Sequence, residues 1–110
     1  MKQIKVSYAS SEQLNWLVCS IENPNNGDTN ISGFYLEGCF RYSSDWSIAG
    51  PIIEKERISI EQHKDTDKWN AFMFSTGDCE MFAPTPLIAA MRCYVASNLG
   101  DVVEVPENLS

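Results

Sequence analysis

Two tryptophans, two arginines and one aspartate are the side chains of this 110-residue chain best suited to meeting a ligand. Asp45-Trp46 is followed closely by Gly50-Pro51, while Arg41, Trp69 and Arg92 stand further off in sequence. An indole face stacks on a flat ring, and a guanidinium meets an anion such as phosphate. A Gly-Pro step changes the chain direction sharply, and Asp45 can close an Asx-turn or cap the turn that follows it. Arg41, Asp45, Trp46, Gly50, Pro51, Trp69 and Arg92 are therefore the candidate ligand-binding residues. The competing reading is a loop from Ser44 to Ile53 that packs against the protein, because Trp and Ile-Ile are also core material.

Catalytic constellations find less support. His63, Asp65 and Asp67 are competent metal ligands at loop spacing, but His-x-Asp-x-Asp is also an ordinary polar hairpin tip. The four cysteines, Cys19, Cys39, Cys79 and Cys93, lie far apart with no Cys-x-x-Cys and a single histidine to help them. A zinc site is not expected, and in a reducing cytosol they read as buried small hydrophobes. Glu54-Lys55-Glu56-Arg57 is a solvated stretch of alternating charge, and no phosphate-binding glycine loop is present. The chain thus reads as a non-catalytic binding protein without a cofactor, with a metal-dependent enzyme using His63, Asp65 and Asp67 as the alternative.

Charge narrows the partners. The net charge of −7 comes from 15 acidic against 8 basic residues, and the basic ones are scattered. Without clustered Lys or Arg to displace counterions, direct nucleic-acid binding is not expected. An acidic surface suits either simple solubility or a basic protein partner. No run approaches the roughly 18 to 20 apolar residues that span a bilayer, and the first residues lack a signal-peptide core. No membrane partner is expected, and the cytoplasm is the expected location. Hydrophobic content of 44% argues against disorder, and the length suits one domain, residues 1–110.

The elements that must position these residues are partly punctuated in the sequence. Ala83 to Gly100 predicts the central helix, with Thr85 as N-cap, Pro86 at the first helical position and Gly100 closing the end. Leu87, Ile88, Met91, Tyr94, Val95 and Leu99 share one arc of it. The opposite arc, with Ala89, Ala90, Cys93, Ala96 and Ser97, is small and nearly uncharged. Such a helix should be covered on both sides, by its own sheet and by a second element or subunit. A homo-oligomer with Ala89, Cys93 and Ala96 in the contact is the expectation. Ser10 and Gln13 form a capping-box pattern ahead of a first helix over Ser11 to Glu22, striped by Leu14, Leu17, Val18 and Ile21. Trp16 falls off that stripe. Alternation predicts strands over residues 2–6, 33–42, 57–61 and 68–75, the last two forming a hairpin, and a short final strand at 102–105. Residues 23–30 are dense in turn formers, and 42–54 read as a structured loop. The fold class is α+β, a small antiparallel sheet of about four strands with two helices, the C-terminal one central.

Ser44-Asp45-Trp46, Gly50-Pro51-Ile52-Ile53-Glu54 and the long run from Pro84 through Asp101 resemble a small family of tailed-phage and prophage proteins called NinX-like. The resemblance covers most of the chain and rests on an unusually long helix motif. It implies an origin in an enteric-bacterial phage or prophage, among accessory genes and not virion components, and carries no established activity. Two kinds of partner then suit an accessory protein in an infected cell. One is a small nucleotide-derived or host-defence signal, sequestered between Trp46 and Trp69 with Arg41 and Arg92 on its phosphate. The other is a host protein whose basic face an acidic inhibitor covers.

Overall fold

The computed structural model describes residues 2–22, 41–62, 67–73 and 79–107. Their order is β1 (Lys2–Lys5), a 3-10 turn (Val6–Tyr8), α1 (Ser11–Glu22), α2 (Trp46–Glu56), β2 (Ile58–Gln62), β3 (Trp69–Met73), β4 (Cys79–Ala83), α3 (Pro86–Leu99) and β5 (Val102–Val105). The α+β class is as the sequence predicts, with two refinements. The strands form two antiparallel sheets, β1 with β5 and β2-β3-β4 in sequence order. A third helix, α2, occupies the predicted loop. The predicted strand over 33–42 lies outside the described residues, apart from Arg41 and Tyr42, which lead into a turn.

Helix α1 begins with the capping box in full. Ser10 Oγ accepts from the Gln13 N–H at 3.3 Å, and Gln13 Oε1 accepts from the Ser10 N–H at 2.9 Å. Two of the helix's orphan donors are satisfied reciprocally. Leu14, Leu17, Val18 and Cys19 are buried, so the aliphatic stripe faces the core. Trp16 is half-buried beside it, and its indole Nε1, itself shielded from solvent, has no acceptor among the described residues.

Residues 42–54 read in sequence as a structured loop in which Gly50-Pro51 turns the chain sharply. Pro51 instead lies inside α2, where it removes one backbone bond, to the Ser47 carbonyl. Gly50 explains how the helix tolerates this. A Cβ placed on Gly50 meets nothing within 4 Å, so packing does not require a glycine there. What requires it is the residue that follows, since a side chain before proline is driven out of the α region by the pyrrolidine ring. Asp45 caps the helix, its Oδ1 accepting from the Ser47 N–H at 2.9 Å and the Ser47 hydroxyl at 2.6 Å. These bonds, the hydroxyl first, hold the Asp45 carboxyl below its ordinary value. The helix ends at Arg57, a non-glycine residue in the left-handed region (φ 55°, ψ 48°) whose N–H returns to the Glu54 carbonyl.

The helix α3 is the centre. The three-stranded sheet, α1 and α2 all pack on it. Thr85 Oγ1 accepts from the Ile88 N–H at 3.2 Å, Pro86 opens the helix, and Gly100 closes it at φ 90°, a backbone angle that favours glycine. Leu87, Met91, Tyr94 and Val95 are buried on one arc, and Ala89, Ala90 and Cys93 on the other, while Leu99 is half exposed. Ala89 and Cys93 have no exposed surface and Ala96 is partly buried, so the small arc is covered by elements of the same chain. A second subunit is not needed to cover it, and Ala89 and Cys93 could reach one only if the domain opened.

Arg92, the helix's one charged side chain, lies at a seam. Its Nε and Nη2 donate to the Ala9 carbonyl at 3.2 and 2.8 Å, and its Nη1 donates to the Phe82 carbonyl at 2.9 Å. Tyr94 donates its hydroxyl to Glu22 Oε2 at 2.5 Å, joining α3 to the end of α1.

Two predictions follow from these contacts. Gly50→Ala will destabilise the protein in chemical denaturation, although alanine is the better helix former. In a Pro51→Ala background the same change will stabilise it by about 1 kcal/mol, because only the proline makes the Cβ costly. Burial first, then the Glu22 hydrogen bond and the charges of Glu22 and Glu56, push the Tyr94 phenol above its ordinary value. The neutral form is the one the fold keeps, so this contribution is complete below about pH 10 and is lost as pH rises further, when the unfolded chain ionises first. Denaturation curves will show an alkaline decline that Tyr94→Phe makes shallower, and an unchanged decline would show that Tyr94 does not carry it.

Candidate functional site

The three helices among the described residues begin at one place. Ser11 at the start of α1, Trp46 at the start of α2, and Pro86, Leu87 and Ile88 in the first turn of α3 line a single groove with Ser43, Ser44 and Thr85. Its volume is ≈ 340 Å³, at the small end of the range of ligand pockets. The floor is apolar, from Pro86, Leu87 and Ile88, and hydroxyls of Ser and Thr supply the polar positions. Trp46 forms one wall and is 54% exposed, in contrast to the other large apolar side chains of the helices' first turns.

The turn ahead of α2 is fixed to α1 by one buried and one part-buried bond. The Ser43 N–H donates to Asn15 Oδ1 at 2.9 Å, and the Ser43 hydroxyl donates to the Ser11 carbonyl at 3.3 Å. Within the turn, the Arg41 carbonyl accepts from the N–H groups of Ser44 and Asp45, at 3.1 and 2.8 Å. Trp46 is therefore carried on a rigid mount whose geometry is set by Asn15, a residue nothing in the sequence marks. The positive ends of three helix dipoles lie around the groove, and they favour an electron-rich or anionic group there.

The predicted ligand-binding residues divide. Trp46 lines the groove, and Asp45 caps the helix that carries it. Gly50 and Pro51 lie further along α2 and set its course without lining the groove. Arg41 is exposed, and its backbone anchors the turn. Trp69 opens β3, opposite Ala83, and packs half-buried on the core, so it does not face Trp46 across the groove. Arg92 is bound to two backbone carbonyls, and burial pulls its guanidinium below its usual value while leaving it charged at neutral pH. Its part is structural. Ser11, Ser43, Ser44, Thr85, Pro86, Leu87 and Ile88 escaped the sequence reading as site residues; the signal they carried was their place at predicted helix starts. His63 and Asp65 lie outside the described residues, and Asp67 is exposed; among the described residues no group of three or more His, Cys, Asp or Glu side chains is placed to hold a metal.

Against known families, the one described as bacteriophage P22, NinX matches residues 5–98. The chain belongs to the NinX family. The match runs from the end of β1 almost to the end of α3, so it takes in the three described helices and every residue of the groove. A search of curated proteins finds no match. Membership of the NinX family makes this a phage accessory protein, and no helix among the described residues is long and apolar enough to cross a membrane.

Asn15→Ala will remove the acceptor of the buried Ser43 N–H. The expected loss is about 1 to 3 kcal/mol in urea denaturation, the cost of stranding a buried donor. With Trp16 and Trp69 replaced by Phe so that Trp46 alone emits, fluorescence of the folded variant will report a loosened wall; an unchanged stability would show that the turn does not depend on this bond.

Proposed function

We propose that this NinX-family protein is a non-catalytic binder of a small ligand carrying a flat ring, of the nucleotide-derived or host-defence signal class, which it sequesters in the host cytoplasm. The observation that carries this reading is Trp46, more than half exposed on a rigid mount beside an apolar groove. Exposing an indole forfeits its burial energy, about 1.5 to 3 kcal/mol for a large apolar side chain, unless something else covers it. A ring stacked on Trp46 and seated on Pro86, Leu87 and Ile88 would do so, and the surrounding hydroxyls and helix N-termini suit its polar or anionic substituents. The phosphate contacts first assigned to Arg41 and Arg92 pass to these backbone and hydroxyl groups, because Arg92 is already bonded elsewhere.

The net charge of −7 favours a second reading, an acidic inhibitor that covers the basic face of a host protein, since an anionic ligand must enter against a repulsive field. The two are separated by a thermal-shift panel of mono- and cyclic nucleotides and by mass spectrometry of what the purified protein releases on denaturation. On the ligand reading, one compound raises the melting temperature, with a stabilisation near 2.7 kcal/mol expected at about 100 times its Kd. Trp46→Ala abolishes the shift and leaves the ligand-free melting temperature within a degree or so of the parent. No shift with any member and no released small molecule would sink the ligand reading.

A further inference from the structure

The outer face of the three-stranded sheet has a chemistry of its own. Strand register places Ser59, Phe72 and Glu80 in one cross-strand row and Glu61, Asn70 and Phe82 in the next, on the side away from α3. The alternate residues Ile58, Ala71, Met73, Met81 and Ala83 are buried on the inner side, which confirms the assignment of faces. Phe82 is 42% exposed, and Glu61 and Glu80 are exposed. Asn70 Nδ2 donates to Glu80 Oε2 at 3.0 Å, which orients that carboxylate across the face. Asn70 Oδ1, sheltered at the root of the same face, has no donor among the described residues. Among these residues the face combines carboxylates and aromatic rings with one hydroxyl and one amide, and none of them is cationic. Lys68, just ahead of β3, stands at its margin.

We infer that this face docks an arginine-bearing basic segment of another protein. A guanidinium answers both exposed features at once: it bonds a carboxylate with two parallel N–H groups and lies flat on an aromatic ring. Lysine answers only the charge. The overall excess of acid draws such a segment in, and the oriented Glu80 beside Phe82 gives it a place to stop. The surface extends the acidic-inhibitor reading to particular residues and is separate from the groove at Trp46.

The test uses the full chain, isotope-labelled, titrated with hexa-arginine, hexa-lysine and hexa-glutamate peptides and followed by NMR. Hexa-arginine is expected to move the amides of Asn70, Phe72, Glu80 and Phe82, and to bind about tenfold more tightly than hexa-lysine. The double change Glu61→Gln with Glu80→Gln will weaken it about tenfold or more, as will Phe82→Ala, while Trp46→Ala leaves it unchanged. The Phe82 carbonyl still accepts from Arg92 in that variant, and should Phe82→Ala nonetheless unfold, the isosteric glutamine pair carries the test. Equal binding of arginine and lysine peptides, or shifts spread elsewhere on the chain and indifferent to these variants, overturns the docking face and leaves the acidic-inhibitor reading standing. Failure of every basic peptide to bind removes both. The same amides moving with protein concentration alone, alongside a doubled mass in light scattering, would assign the face to a second copy of the chain and overturn the proposal.

Discussion

Nearly every element of this domain is positioned by the need to bury α3 on both of its arcs. One arc carries Leu87, Met91, Tyr94 and Val95, the other only Ala89, Ala90 and Cys93, and both are withdrawn from water. Small side chains allow close approach on one side, and large ones fill the space on the other, so the sheet and two helices can close around a single axis. The one charge this arrangement takes in is Arg92. A half-buried guanidinium must be hydrogen-bonded, and the acceptors it finds are backbone carbonyls of the segment before α1 and of β4. The helix, its sheet and its neighbouring helix are thereby tied at one point.

That closure also decides where a binding site can form. With the flanks of α3 covered, its ends stay open, and at its first turn the chain brings the starts of α1 and α2 to the same place. Helix starts present backbone N–H groups and hydroxyl caps, whereas the residues immediately inside them are apolar and face the core. A groove bounded by three such starts is apolar at its base and polar at its margin without any dedicated cluster of charged residues. The outer face of the sheet is the complementary case, rich in acceptors and rings, and it lies on the side of β2-β3-β4 away from α3.

Much of this was legible in the residues, for identifiable reasons. Both ends of α3 and the start of α1 are encoded by local chemistry, in Thr85-Pro86, Gly100 and the Ser10 and Gln13 pair, and local chemistry survives translation into three dimensions. The hairpin of β2 and β3 followed from alternation. What escaped depended on distant partners or on one rule overriding another. Gly50-Pro51 reads in sequence as a sharp turn, which overlooks the exemption granted by a glycine before proline inside a helix. The small arc of α3 suggested a subunit interface because sequence cannot say whether the covering element belongs to the same chain. The bond from Ser43 to Asn15 spans 28 residues, so no local pattern could announce it, yet it is what gives Trp46 its footing. Arg92 was read for its charge, and its fate was decided by geometry.

Thr85 both caps α3 and lines the groove, and Ser43 both lines it and, through its hydroxyl, joins the turn to α1. Recognition and folding therefore draw on the same hydroxyls, and a substitution at these positions that improved a ligand contact would loosen the scaffold that presents it. Drift in specificity has fewer obstacles at Trp46 and Ser44, whose side chains stand out from the protein. Relatives that diverge in what they hold should differ there first, around a frame of hydroxyl caps that stays the same.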